Sequence, residues 1–258
     1  MRDLLDDAHE HRTDGMGRAQ APNRRDLPKR FYKEVGVVGV AGGYAVALDG
    51  RSPRTPGQKP VIVPIEALAE TMAGEWAAQG EFIDPETMPV VRLVNSAIEG
   101  GEERLQALRD EVVKYAASDL LLYRADTPAE LVAEQERLWD DVLVRLARHL
   151  SIAFQPTIGI VHQAQPEPTL RRLSSALDDV LLIEAAALVL LVGLTGSGLL
   201  VIALREKLIS AEEVWAAAHV DEDHNIRLWG AVEEATERRA KRRRDFEAAL
   251  RVLDLTRA

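Results

Sequence analysis

The chain has 258 residues, no cysteine and a formal net charge of −10. Without cysteine it forms no disulfide, thiolate nucleophile or cysteine-ligated metal site, and a reducing compartment is expected. The acidic balance argues against nucleic acid as the main partner, while 47% hydrophobic and 29% charged residues describe a globular chain with a sizeable core.

Residues 1–27 are polar and aperiodic, with Gly15, Gly17 and Pro22, and are expected to form a flexible tail. They offer no apolar signal-peptide core, and Asp3, Asp6, Asp7, Glu10 and Asp14 are too acidic for a transit peptide, which predicts a cytoplasmic protein of bacterial type. Runs 31–35 and 44–48 read as strands separated by Gly36, Gly39, Gly42 and Gly43. Asp49-Gly50 is a turn signal, and 61–63 is a further short strand. Pro64 opens a helix whose apolar stripe is Ile65, Leu68, Ala69, Met72, Ala73 and Trp76. Trp76 is expected to staple that helix to the small sheet. Two short helices follow, at about 90–99 and 102–117.

Beyond Asp126, Thr127-Pro128-Ala129-Glu130 predicts a capping box that starts a helix carrying Leu131, Gln135, Leu138, Trp139, Val142, Leu146 and Leu150. Pro156, Gly159, Pro166 and Pro168 mark an irregular connector over 151–168. The run 180–204 is apolar apart from Glu184 and carries Gly193, Thr195, Gly196, Ser197 and Gly198 at its centre. Three readings compete for it. Its length suits a membrane helix, but the central glycines would break one. Gly196-Ser197-Gly198 is close to a dinucleotide fingerprint, but Val201 occupies the third small position and no surrounding βαβ unit is visible. Two buried helices meeting at a tight corner, the second capped by Thr195 or Ser197, fit best, and membrane insertion is not expected. Ser210-Ala211-Glu212-Glu213 is a second capping box, and a long charged helix is expected from about Glu222.

The layout predicts an α+β fold in which the tail (1–27) precedes a small domain with short antiparallel strands (28–117) and a larger multihelical domain (118–258). Candidate chemistry is sparse. His219 and His224 flank three acids, but a His-x4-His spacing without a third fixed ligand is a weak metal signal, and the acids suit a helix start. No nucleophile elbow or phosphate loop occurs, so neither catalytic residues nor a cofactor are predicted. The run 238–244 is basic, yet Glu233, Glu234, Glu237, Asp245 and Glu247 surround it, which favours a solvated helix face over a nucleic-acid patch. Glu222, Ile226, Trp229 and Glu233 share one face at helical spacing. A tryptophan bracketed by carboxylates is either edge-of-core packing or a protein-recognition patch, and periodicity leaves both open.

In order along the chain come Arg30-Phe31-Tyr32-Lys33, Gly43-Tyr44, Leu48-Asp49-Gly50-Arg51, Thr55-Pro56, Glu75-Trp76 with Gln79, Ile83-Asp84-Pro85, Met88-Pro89 and Tyr123-Arg124. The second half adds Gln135 with Trp139-Asp140, Thr195-Gly196-Ser197, Asp221-Glu222 and Trp229-Gly230 with Glu234-Ala235. Together these resemble the Atp12 family of assembly chaperones for the F1 sector of ATP synthase, over about 30–255. Asp141 stands where a proline is usual, Asn225 where a glutamine is expected and Val232 where an aspartate is expected. The resemblance implies a non-enzymatic chaperone that binds the free F1 α subunit before it joins β, with no cofactor, in the cytoplasm of bacteria or the mitochondrial matrix of eukaryotes. It places partner binding on Glu222, Trp229 and Glu234, with Glu233 beside them. The alternative is a soluble enzyme or cofactor-binding protein using the corner near Gly196.

Overall fold

The structure is a computed structural model and describes residues 27–257. The expected tail, apart from Leu27, lies outside the described residues. A hairpin comes first: β1 (Val35–Val40) runs antiparallel to β2 (Gly43–Leu48), with Val35 opposite Leu48 and Val40 opposite Gly43. The strand expected at 31–35 is displaced by several residues. Tyr32 turns into the core, and the Asp49 carboxylate accepts from the amides of Lys33 and Glu34 at 2.8–3.2 Å, so those amides face a turn side chain rather than a strand. The run 61–63 joins β2 only through the bridge between Tyr44 and Val63, since Pro60 and Pro64 on either side have no N–H to donate.

Helix α1 (Glu66–Ala77) buries Leu68, Ala69, Met72 and Ala73 and packs on both strands. Trp76 is half-buried beside them. The Tyr32 ring meets it edge-on at 5.7 Å, and the Tyr32 hydroxyl donates to its carbonyl at 2.7 Å. Glu75 accepts from the amides of Val90 and Val91 at 2.9 and 2.8 Å, satisfying the first turn of α2 (Pro89–Gly100). Helix α3 (Leu105–Ala117) follows, so both short helices lie close to their expected bounds.

Strand β3 (Tyr123–Arg124) pairs in parallel with β4 (Thr157–Ile158). Between them lie α4 (Ala129–Gln135) and α5 (Asp141–Leu150), joined through the π-turn Glu136–Asp140. The expected Thr127 capping box does not form. Pro128 itself takes the boundary position in an extended conformation, leaving Thr127 outside and Glu130 one position short of the reach a box needs. The Ser210 box does form, with Ser210 and Glu213 each accepting from the other's amide.

The remaining helices are α6 (Glu167–Ser175), α7 (Leu182–Thr195), α8 (Gly198–Arg205), α9 (Ala211–Ala218), α10 (Val220–Trp229) and α11 (Glu233–Thr256). Helix α7 touches α2, α3, α8 and α11, which makes the α7–α8 corner the hub of the core. Its 14 residues span about 21 Å, short of a hydrocarbon layer of about 30 Å. No helix among the described residues is long and apolar enough to cross a membrane. Glu184, the lone charge of the run, is buried and accepts from Arg205 Nε at 2.8 Å. Arg205 also reaches Asp179 at 2.8 Å and the Ala176 carbonyl at 2.8 Å. A buried ion pair needs such additional partners to offset its desolvation.

At the corner Gly196 adopts φ +71°, and Ser197 Oγ accepts from Leu200 N at 2.9 Å. A Cβ on Gly198 would sit 2.4 Å from the Val112 carbonyl oxygen, so glycine is what lets α8 seat against α3. The fully buried Asp119 carboxylate accepts from Ser197 Oγ at 2.7 Å, Leu199 N at 2.8 Å and Leu121 N at 3.1 Å. Burial pushes its carboxyl up to about 7, against the downward pull of those donors. The amides a phosphate would need at the start of α8 already face the chain's own carboxylate, behind a glycine pressed on α3. The corner therefore lacks the opening that the cofactor-binding alternative requires.

Candidate partner-binding site

The four candidate residues fall on two helices, not one. Gly230, at φ +82°, ends α10 directly after Trp229, and α11 begins at Glu233. The single long helix expected from Glu222 is thus an elbow, and the stripe Glu222, Ile226, Trp229 and Glu233 is interrupted between its third and fourth members. Glycine at the C′ position is the usual helix stop, and Trp229-Gly230 carries that signal in the sequence.

Helix α10 is fixed on its inner side. Asp221 accepts from Gln135 Nε2 at 2.9 Å, and Arg227 and Asp223 pair with Glu134 and Arg239. His224 is buried, and so is His219, whose Nδ1 lies 2.7 Å from the Trp215 carbonyl. Burial lowers the His219 pKa, against the upward pull of the Trp215 carbonyl and Glu222, with Arg242 and Arg239 acting in the same sense as burial. Its Nε2 faces Glu222 Oε2 at 3.9 Å. Among the described residues no group of three or more histidine and acidic side chains is arranged to hold a metal ion.

With that side anchored, the far end of α10 projects apolar surface outward. Trp229 is 84% exposed, Leu228 58% and Val232 67%. Glu233 and Glu234 are exposed in the first turn of α11, where the helix dipole favours acids, and Glu234 pairs with Arg238 at 3.6 Å. Glu222 is half-buried in the first turn of α10, about 10 Å along the axis from Trp229. The structure therefore brings together Trp229, Glu233 and Glu234 at the elbow and sets Glu222 apart, two turns back. Leu228 and Val232 join the apolar surface; the sequence marks Val232 only as a departure from an expected aspartate and does not mark Leu228. Their signal was two large apolar residues flanking the Trp229-Gly230 break.

The basic run is less solvated than expected. Arg243 reaches Glu212 at 2.6 Å and Glu247 at 2.8 Å and lies over the Trp215 ring, Arg242 donates to the Leu194 carbonyl, and Lys241 pairs with Glu86. These arginines and lysine stitch α11 to α9, α7 and the loop before α2. The body of α11 is thus fixed, while Leu228, Trp229, Val232, Glu233 and Glu234 stay exposed at the elbow.

A model of the ATP12 chaperone protein family matches residues 29–147. The chain is 24% identical over 232 residues to the mitochondrial protein atp12 of Schizosaccharomyces pombe, covering 85% of this chain and 80% of that one. The crystal structure of Atp12 from Paracoccus denitrificans superposes with a TM-score of 0.83 at 36% identity, over 89% of this chain and 98% of the other. A candidate chaperone from Agrobacterium tumefaciens superposes with a TM-score of 0.86 at 42% identity, over 99% and 97% of the two chains. At 36% identity to the Paracoccus Atp12, with the same fold over 89% of this chain and 98% of the other, the chain belongs to the ATP12 chaperones.

Proposed function

We propose that the protein is an assembly chaperone of the F1 sector of ATP synthase that binds the free α subunit and covers its apolar surface until β takes its place. Binding at the α10–α11 elbow is part of this reading. The observation that carries it is the exposed ridge of Leu228, Trp229 and Val232 beside Glu233 and Glu234, on helices whose other faces are anchored. Exposed apolar surface next to polar groups is characteristic of protein interaction sites, and tryptophan is enriched among the residues that dominate them. No catalytic step is assigned, and a cytoplasmic setting is proposed with the function.

The test is capture of purified F1 α and β subunits, each offered separately to the full-length chain. Capture of α and not β is expected. Truncating Trp229 to alanine should weaken it by about 2 kcal/mol, roughly thirtyfold, with an unchanged melting temperature. Glu222→Lys should also weaken capture, while its effect on stability through the helix dipole stays near 1 kcal/mol or less. Preference for β would overturn the choice of partner, and full capture by a folded Trp229→Ala protein would remove the elbow from the site.

A further inference from the structure

A second apolar display shares its supporting helix with the elbow. The end of β4 and the loop after it expose Ile158, Ile160 and Val161, with Ile160 95% accessible. It is not a free strand end. Gly159 N donates to the Arg124 carbonyl at 2.9 Å, and the Tyr123 hydroxyl lies 2.9 Å from His162 Nδ1. Ile158 forms one wall of a cleft of about 240 Å³ whose other apolar walls are Ala125, Val132 and Pro156. That volume is below the roughly 300–1,000 Å³ of small-molecule pockets, and suits a single large side chain of a protein partner better than a cofactor.

Charge narrows the occupant further. Arg124 at the cleft is neutralised by Asp140 at 2.7 Å, whereas Glu136 is exposed and has no ion pair among the described residues. The cleft therefore offers apolar walls and one free carboxylate, the same combination that Trp229, Glu233 and Glu234 present at the elbow. The two places are held in fixed relation by α4. Its Val132 and Gln135 line the cleft, while Glu134 and Gln135 hold Arg227 and Asp221 of α10.

We infer that the partner bound at the elbow is engaged a second time here, through one large apolar side chain seated in the cleft against Ile158, Val132 and Pro156, next to a lysine or arginine that meets Glu136. This rests on the reading of the elbow as the partner-binding site. Two contacts on one rigid frame make the second binding event intramolecular, so loss of either one lowers the overall affinity strongly. A lysine or arginine at Glu136 also makes the association sensitive to salt.

The experiment measures the affinity of full-length wild type, Ile158→Asp, Glu136→Lys and Trp229→Ala for purified F1 α subunit, with β subunit as a second probe. Ile158 and Glu136 are exposed, so the two cleft substitutions leave the fold alone. Each is expected to weaken binding tenfold or more, and a photocrosslinker placed at position 160 is expected to join the same subunit. Wild-type affinity in both cleft variants, with Trp229→Ala weakened, would overturn the cleft and leave the elbow standing. Absence of binding by wild type to either subunit would overturn the elbow reading and the cleft with it.

Discussion

At the scale of single residues, many of the side chains that carry the family resemblance hold the fold. Gln79 bridges the Glu75 carbonyl, Thr87 Oγ1 and the Asp84 amide, and Trp139 Nε1 donates to the Ala217 carbonyl at 2.8 Å. Arg124 lies over the Trp139 ring while pairing with Asp140. Asp119 is the residue of this kind that sequence reading passed over, although a lone acid before the apolar Leu120–Leu122 is the pattern of a helix-start cap. Its titration gives a prediction. With a folded-state pKa of about 7 against an ordinary 3.8, the folded chain holds a proton between those values that the unfolded chain has released. The stability Asp119 contributes is therefore fully present below about pH 4 and is lost as pH rises through 7. Asp119→Asn keeps an acceptor but does not titrate. Near pH 5 it should be less stable than wild type by about 1–3 kcal/mol, the cost of mismatching a buried hydrogen-bond network. That gap should narrow toward pH 8 in urea unfolding, and a gap that stays constant would show that Asp119 does not titrate in this range.

Among elements, the two glycine-marked breaks show what sequence made legible. The α7–α8 corner could be read because three small residues in four interrupt an apolar run, and Ser197 stands where a cap is needed. The α10–α11 elbow carries the same kind of glycine signal, but strong helical periodicity on both sides hid it, and with it the fact that Glu233 starts a new helix. The hairpin was found with its first strand misplaced, because alternation in 31–40 does not say which residue turns inward, and the Asp49 carboxylate decides it. Exposure of Leu228 and Val232 could not be read at all, since it depends on where α4 and α11 pack. The corner also separates two roles of glycine. At Gly196 the demand is conformational, and an added Cβ meets only Leu120 Cδ2 at 3.5 Å. At Gly198 the demand is steric, with backbone atoms of Val112 and Ala116 at 2.4 and 2.6 Å. Gly196→Ala should cost about 1–2 kcal/mol for a left-handed residue, whereas Gly198→Ala must push α8 off α3 and should cost about 3 kcal/mol or more. Thermal or urea melts of the two variants check the order, and equal losses would mean that α8 shifts without resistance.

For the whole molecule the question is whether the segments 28–117 and 118–258 are separate folding units. Helices α2 and α3 belong to the first segment, but Val91, Val94, Val112 and Ala116 share one core with Leu188, Leu191 and Leu200 of the second. Polar links cross the same boundary: Arg92 meets Asp245 at 2.8 Å, and Arg109 Nη2 donates to the Val180 carbonyl at 2.5 Å. Isolating 28–117 would expose those valines, at about 25 cal/mol for each Å² of apolar surface. We propose that the two segments are layers of one cooperative unit. The chain supplies its own reporters, because Trp76 lies in the first segment and Trp139 and Trp215 lie in the second, while Trp229 is exposed and serves as an internal control. In protein labelled with 5-fluorotryptophan, the fluorine resonances of the first three should move to their unfolded positions at one common urea concentration, as a two-state unit requires. If the Trp76 resonance moved at lower urea while Trp139 and Trp215 kept their native positions, the hairpin, α1, α2 and α3 would form a unit of their own, and the contacts across the α7 core would be too weak to couple it to the rest.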